Sequence, residues 1–286
     1  MWAIRTDRRY ATWVNRVRHN AAVPTLVFVH AHPDDEALLT AGTMAKAASE
    51  GHRVVLVMAT DGAAGLARSD ITDLADVRAS ELAESTSVLG VARTVNLGYR
   101  DSGLDGSVIG GLASTPVGQI ASAIAHVVRE ENADILVGYD PSGGYGHPDH
   151  VQVHRSVRAA AASLFSENPC AQLRVFEATL PRKPISRGVH LAARLYATPA
   201  DFDPTEFDRA WTPRTHITHR VNVRGHLAAK RAAQAAHASQ AGADDGVRTL
   251  QVLGKLPNPL ARLILGTEFY VDVTAATMEA ANVTSL

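Results

Sequence analysis

Two short, unbroken apolar runs constrain this chain most: Leu-Val-Phe-Val-His at 26–30 and Val-Val-Leu-Val-Met at 54–58. A strand without polar alternation is one buried on both of its faces. Between the runs, residues 36–49 carry Leu38, Leu39, Met44, Ala45 and Ala48 in a helical pattern. The alternation then continues. Residues 77–89 read as a helix stopped by Gly90, and 94–97 as a weak strand. Residues 117–130 read as a helix with Ile120, Ile124, Val127 and Val128 on one side, 135–137 as the start of a strand, and 151–164 as a helix. Strand–helix alternation at this spacing predicts βαβ units. The expected fold class is α/β, a Rossmann-like three-layer sandwich with a mostly parallel sheet.

The second half is less regular. Residues 180–213 contain Pro181, Pro184, Pro199, Pro204 and Pro213 and read as loop-rich. A strand is expected over 217–223, an alanine-rich helix over 225–239, a turn at 242–246 and a last strand over 269–273. At the other end, residues 1–22 hold five arginines against Asp7, interleaved with Trp2, Tyr10 and Trp13. The expected organisation is a basic, aromatic segment at 1–22 and one domain over 23–286, with a loop-rich elaboration at about 180–215.

Composition excludes several classes. With 28 Lys+Arg against 29 Asp+Glu, the net charge of −1 leaves no bulk basic field to hold nucleic acid. At 46% hydrophobic and 20% charged, the chain is too apolar for disorder. No window approaches the roughly 18 apolar residues of a membrane span. The single cysteine, Cys170, forms no intrachain disulfide framework and no cysteine-based zinc finger. No apolar stretch follows the early arginines as a secretory signal requires, so a cytoplasmic location is expected.

The chemistry lies in two turns. His32-Pro33-Asp34-Asp35-Glu36 follows the first strand, and Gly146-His147-Pro148-Asp149-His150 follows the strand that starts at Ile135. A residue before proline is pushed to extended geometry, and proline suits the first helical position. Each motif therefore reads as a strand-to-helix junction, with the next two side chains in the first helical turn. Carboxylates there are kept ionised by the helix dipole. Both clusters are expected at the carboxyl ends of parallel strands, where open α/β sheets place ligands. Together they offer His32, Asp34, Asp35, His147, Asp149, His150 and, one turn on, His154, a set that suits zinc, iron, nickel or manganese.

Ala-His-Pro-Asp-Asp-Glu at 31–36, followed by Gly-Gly-Tyr-Gly-His-Pro-Asp-His at 143–150, resembles the LmbE-like, or PIG-L, family of zinc-dependent N-deacetylases. That family includes mycothiol-pathway deacetylases and amidases. The resemblance covers about residues 25–160 and thins beyond, where Lys230, His237 and Gln240 match a later helix. It implies His32, Asp35 and His150 as zinc ligands, with Fe2+ an alternative occupant in the cell. It implies Asp34 as the general base toward metal-bound water. His147 would stabilise the oxyanion and protonate the leaving amine, with Asp149 orienting and charging that imidazole. Tyr145 would help polarise the carbonyl. Arg78, Asp101 and Ser102 would bind substrate. The partner implied is a small amino-sugar conjugate, with no nucleic acid and no transmembrane segment; a homo-oligomer is compatible.

The implied reaction is removal of acetyl from an N-acetylglucosamine-type sugar or glycoconjugate. An amidase cutting a larger acyl group from a glucosaminide is the neighbouring alternative. A different class, a non-haem iron oxygenase, would use His32, Asp34 and His150 as a two-histidine-one-carboxylate triad, but such triads sit on strands of β-barrels. Among weaker candidates, His30 is expected buried and hydrogen-bonded, and His154 to brace or pack. Glu36 is read evenly as a helix cap or a brace for a ligand histidine, and Asp140 has no assigned role.

Overall fold

The computed structural model describes residues 23–65, 73–168, 171–195, 203–241 and 249–284. Cys170, the 1–22 segment and the turn at 242–246 lie outside them. The order is β1 (Thr25–His30), α1 (Asp35–Leu39), α2 (Ala41–Ser49), β2 (Arg53–Thr60), α3 (Leu74–Leu89), β3 (Arg93–Tyr99), α4 (Val117–Glu130), β4 (Ile135–Tyr139) and a single turn, α5 (Gly143–Gly146). Then follow α6 (Pro148–Glu167), β5 (Arg174–Thr179), α7 (Arg182–Leu195), β6 (His219–Asn222), α8 (Leu227–Ala236), α9 (Ala238–Ala241), α10 (Thr249–Gly254), α11 (Asn258–Ile264), β7 (Thr267–Asp272) and α12 (Thr274–Thr284).

The seven strands form one sheet in the order β3-β2-β1-β4-β5-β7-β6. The first five are parallel, and β7 runs antiparallel to β5 and to β6. The two apolar runs pair directly, Phe28 beside Leu56 on one side and Val137 on the other. Every residue of β1 is buried, as lack of alternation requires. One apolar cluster joins Val27, Val29, Val55 and Val57 to Ile120, Ile124, Val153 and Val157 of α4 and α6. The other joins Leu26, Phe28, Leu56 and Met58 to Met44, Leu82 and Ala233 of α2, α3 and α8. These are the three expected layers. Gly90 ends α3 in the left-handed conformation, φ 71°. The chain winds one way from β1 to β2 and β3 and the other way from β4 to β5. The crevice between the ends of β1 and β4 is thus the topological switch point.

Three expectations are corrected. The helix over 36–49 is broken at Thr40, whose backbone leaves helical geometry at φ −129° while its hydroxyl meets His30 Nε2 at 2.8 Å. The restart as α2 is capped from afar by Glu268, which accepts Gly42 N at 2.9 Å and Thr43 N at 2.8 Å. Within the stretch read as loop-rich, 182–195 is helical; Pro184 sits in the first turn, where a missing N–H breaks no helical bond. The two motif turns also differ. Pro148 takes the first position of α6 behind His147 as cap, but Pro33 lies ahead of its helix and Asp34 is the cap, at φ 119°. Among the described residues, no helix is long and apolar enough to cross a membrane.

Candidate metal centre

β1 delivers His32 and α1 delivers Asp35 to one side of the switch point, while the first turn of α6 delivers His150 to the other. His150 Nδ1 faces the Gly143 carbonyl at 3.1 Å, a contact only a protonated Nδ1 makes, so Nε2 presents its lone pair to the crevice. His32 Nε2 faces Asp149 Oδ2 at 3.1 Å and Asp101 Oδ1 at 3.5 Å, so its Nδ1 is the nitrogen left for the crevice. His32 Nδ1, His150 Nε2 and Asp35 Oδ2 then stand 3.3, 3.4 and 3.2 Å from one another. Three ligands at 2.0–2.1 Å from a tetrahedral ion would be about 3.3 Å apart. Two imidazole nitrogens and a carboxylate oxygen can converge this closely only with a proton or a metal cation shared among them. The donor set fits a divalent metal with an open position.

His32 offers ligand atoms within 4.8 Å both to His147 and His150 and to Asp101 and Asp149. The second carboxylate pair is already engaged by backbone donors. Asp149 Oδ2 accepts Ser102 N at 2.9 Å; Asp101 accepts Gly103 N at 2.8 Å and Ala64 N at 3.2 Å. Those carboxylates hold the outer nitrogen of His32, the arrangement that fixes a ligand imidazole's tautomer and raises its basicity. Burial opposes charge on the His32 ring, yet bonds to Asp101, Asp149 and Asp35 outweigh it and raise its pKa well above the usual value. Burial likewise opposes charge on Asp35, but His150 and His32 hold it well below the carboxylate range. Against burial, His32 and Gly103 N hold Asp101 down to about 2.

Two expected roles change. The Asp149 carboxylate serves His32, and only its backbone N–H reaches His147, donating to Nδ1 at 3.2 Å. Burial and the neighbouring His32 and His150 push His147 down to about 4, and Asp149 only partly offsets them. His147 is therefore neutral, with its proton on Nε2. Nor is Asp34 kept ionised by a helix dipole, since α1 has five residues. Burial pushes it up to about 7, against the pull of Arg78, whose NH2 group lies 3.3 Å from Oδ1.

Arg78 is 2% exposed and spends its guanidinium on Gly62 O at 2.7 Å, on Pro33 O and on Asp34. It braces the Asp34 turn. Ser102 is buried, its hydroxyl accepting Ala113 N, so Asp101 and Ser102 back the centre rather than line an open surface. Tyr145 alone among the expected residues is well exposed, at 45%, its ring 5.3 Å from that of His150 and 6.1 Å from that of His147.

Glu36 fulfils both of its readings in part. It accepts Asp34 N at 3.0 Å as a cap, His237 Nε2 at 2.6 Å from the junction after α8 and Ser85 at 2.7 Å from α3, but braces no ligand histidine. His30 is buried between Thr40 and Tyr139, and His154 packs on the Tyr139 carbonyl at 3.0 Å, as expected. Tyr139 emerges as a residue that sequence reading missed, and Asp140, left without a role there, gains one. Tyr139 donates to Asp35 Oδ2 at 2.7 Å and stacks on His150 at 4.4 Å, opposite His147. Its signal was a polar-tipped aromatic at the carboxyl end of a buried strand. Asp140 accepts Ser142 N and Gly144 N, both at 3.0 Å, through Oδ1, and Thr179 and Thr212 hydroxyls through Oδ2. It clamps the turn that carries Tyr145. Trp211 closes the clamp, its backbone N–H donating to Gly144 O at 2.9 Å while its ring leaves no room for a Cβ at Gly144.

The model of the GlcNAc-PI de-N-acetylase family, PIG-L, matches residues 27–161. A 1D-myo-inositol 2-acetamido-2-deoxy-alpha-D-glucopyranoside deacetylase from Kineococcus radiotolerans is 35% identical over 82% of this chain and 74% of its own. A protein of the same description from Streptomyces scabiei is 35% identical over 90% of this chain and 85% of its own. Among solved structures, N,N'-diacetylchitobiose deacetylase from Pyrococcus horikoshii superposes with a TM-score of 0.55 at 21% identity, over 87% of this chain and 82% of that one, a likeness of fold.

Proposed function

The chain belongs to the PIG-L family, and from that premise we propose that it hydrolyses the acetamide of an N-acetylglucosamine-type sugar or glycoconjugate to acetate and a free amine. The observation that carries the reading is the convergence of His32 Nδ1, His150 Nε2 and Asp35 Oδ2 at tetrahedral spacing, beside Asp34. These three side chains would hold the ion; zinc suits them, and iron(II) binds the same donors. The ion supplies Lewis acidity, polarising the amide carbonyl and acidifying water.

The rest falls to the protein. Asp34 keeps 19% side-chain exposure and directly precedes Asp35 in the chain, so it is the carboxylate available to take the proton of the attacking water. Arg78, 3.3 Å from Oδ1, favours the ionised form of Asp34 against burial. His147, neutral, with its ring 4.6 Å from that of His32 and 4.8 Å from that of His150, can stabilise the oxyanion as a hydrogen-bond donor through Nε2–H. With its pKa pushed down to about 4 by burial and the neighbouring His32 and His150, it is a poor source for the leaving amine's proton. Asp34, having just received one, returns it. Tyr145 adds a phenol donor at the mouth. Asp149 and Tyr139 fix His32 and Asp35, while Arg78 fixes Asp34.

The test is amine release by metal-loaded protein from N-acetylglucosamine, its inositol conjugate and a mycothiol conjugate. Asp34→Asn is expected to lower kcat about 10²–10⁴-fold with metal content unchanged. Equal turnover in the variant would remove Asp34 from the mechanism. No amine from any substrate, with the ion bound, would reject acetamide hydrolysis of these sugars.

A further inference from the structure

Asp34 stands in a backbone conformation that its side chain disfavours. Among the described residues, Asp34, Asn132 and Trp211 are the non-glycines with positive φ. Asn132 and Trp211, at 47° and 60°, lie in or beside the ordinary left-handed well, whereas Asp34, at 119°, lies far outside it. Such a conformation persists only where its surroundings hold it. Here one peptide unit is held at both ends. The Pro33 carbonyl accepts from the Arg78 guanidinium, and the Asp34 N–H donates to Glu36 Oε2 at 3.0 Å. The flanking ligand residues close on each other without that peptide. His32 N donates to Asp35 Oδ2 at 2.9 Å, and Asp35 N to His32 O at 3.2 Å.

The Glu36 carboxylate is itself aimed from behind. Its Oε1 accepts the Ser85 hydroxyl at 2.7 Å and His237 Nε2 at 2.6 Å, which leaves Oε2 for Asp34 N. Neither Glu36 nor His237 has any exposed surface. His237 Nδ1 has no hydrogen-bond partner among the described residues, so the ring is committed to Glu36 alone. A buried pair of this kind adds little stability over apolar side chains of similar volume. What it supplies here is a fixed position. We propose that Glu36 and His237 are positioning residues for the reaction: His237 orients the Glu36 carboxylate, which holds the Pro33–Asp34 peptide and so aims the Asp34 side chain. This role rests on the reading of Asp34 as the base. Without the His237 donor the carboxylate turns, the peptide is released and Asp34 relaxes to an ordinary backbone conformation. The closure of His32 on Asp35 stays, so the ion is still held.

The test compares His237→Leu, which removes the donor, with His237→Gln, which keeps one at the reach of Nε2. Both are made in the metal-loaded full chain, alone and together with Asp34→Asn. His237→Leu is expected to lower kcat about 10²-fold, with KM and metal content unchanged. Its Asp34 amide proton, read by NMR after selective labelling, should exchange about tenfold faster. His237→Gln should restore most of both. In the Asp34→Asn background His237→Leu should cost no further activity, because it acts through the Asp34 carboxylate. A parent-like kcat in His237→Leu would overturn the role. So would an equal further loss in the Asp34→Asn background, or a loss of metal or a rise in KM alongside kcat, since each marks a merely structural part. Parent-like turnover in Asp34→Asn alone would reject the base and with it the catalytic use of the grip, while amide exchange reports separately whether the grip exists. Should His237→Leu not fold, Ser85→Ala, which removes the other donor to Oε1, decides by the same readouts with a smaller loss in the same direction.

Discussion

At the scale of single residues, the centre is governed by which nitrogen of each imidazole carries the proton. Gly143 O settles this for His150, and Asp149 with Asp101 settles it for His32. Asp149→Asn keeps the shape but removes the charge that holds His32. Metal affinity is expected to fall about 10–100-fold, measured by competition with a chromophoric chelator. Unchanged affinity would show that the backing carboxylate does not matter. The same chelator assay gives a pH dependence. His32 is protonated through the neutral range in the metal-free protein because its pKa is raised. An ion must displace that proton, so affinity rises with pH until the His32 pKa is passed, and one proton is released per ion bound. The histidines and aspartates of both motifs were legible in the sequence because proline and strand ends fix where they point. The partner of each was not, since Asp149 lies 117 positions from His32.

Among the elements, β1, β2 and β4 were readable because a parallel strand buried on both faces leaves a continuous apolar trace. Helix α7 was hidden by Pro184, which costs nothing in a first turn. The break between α1 and α2 was hidden because its cause lies on another strand, at His30, and its cap on β7, at Glu268. The turn α5 depends on Asp140 in the same non-local way, with Thr179 on β5 and Thr212 beyond α7 as partners. Asp140→Ala frees this turn and so misplaces Tyr145. The expected result is a fall in kcat of about 10²-fold with metal content unchanged. Steady-state kinetics beside metal analysis checks it, and a parent-like kcat would mean that the clamp does not position Tyr145.

Across the whole molecule, the irregular second half is tied to the first by buried charge. Lys230 on α8 meets Glu268 on β7 at 2.6 Å, both nearly inaccessible, and Glu268 at once caps α2. His237, beyond α8, meets Glu36 beneath the Asp34 turn. Lys230→Met strands the Glu268 charge among backbone donors and should cost about 3–5 kcal/mol, read as a shift of the urea midpoint. A cost under about 1 kcal/mol would assign the tie to apolar packing alone. Lys230 and His237 could be picked out in the sequence but not paired.

The position of the centre at the switch point has a kinetic consequence. His32 and His150 are 118 positions apart and leave the sheet on opposite sides of the crevice. Until both βαβ halves have docked, the chain offers an ion only scattered, weak donors. Loading would therefore come after folding, and a bound ion would act as a latch on a finished structure. Refolding from denaturant should proceed at the same rate with or without metal, whereas unfolding should slow as metal is added. Stopped-flow measurement of the two limbs would show it, and a metal-accelerated refolding limb would mean that the centre assembles early.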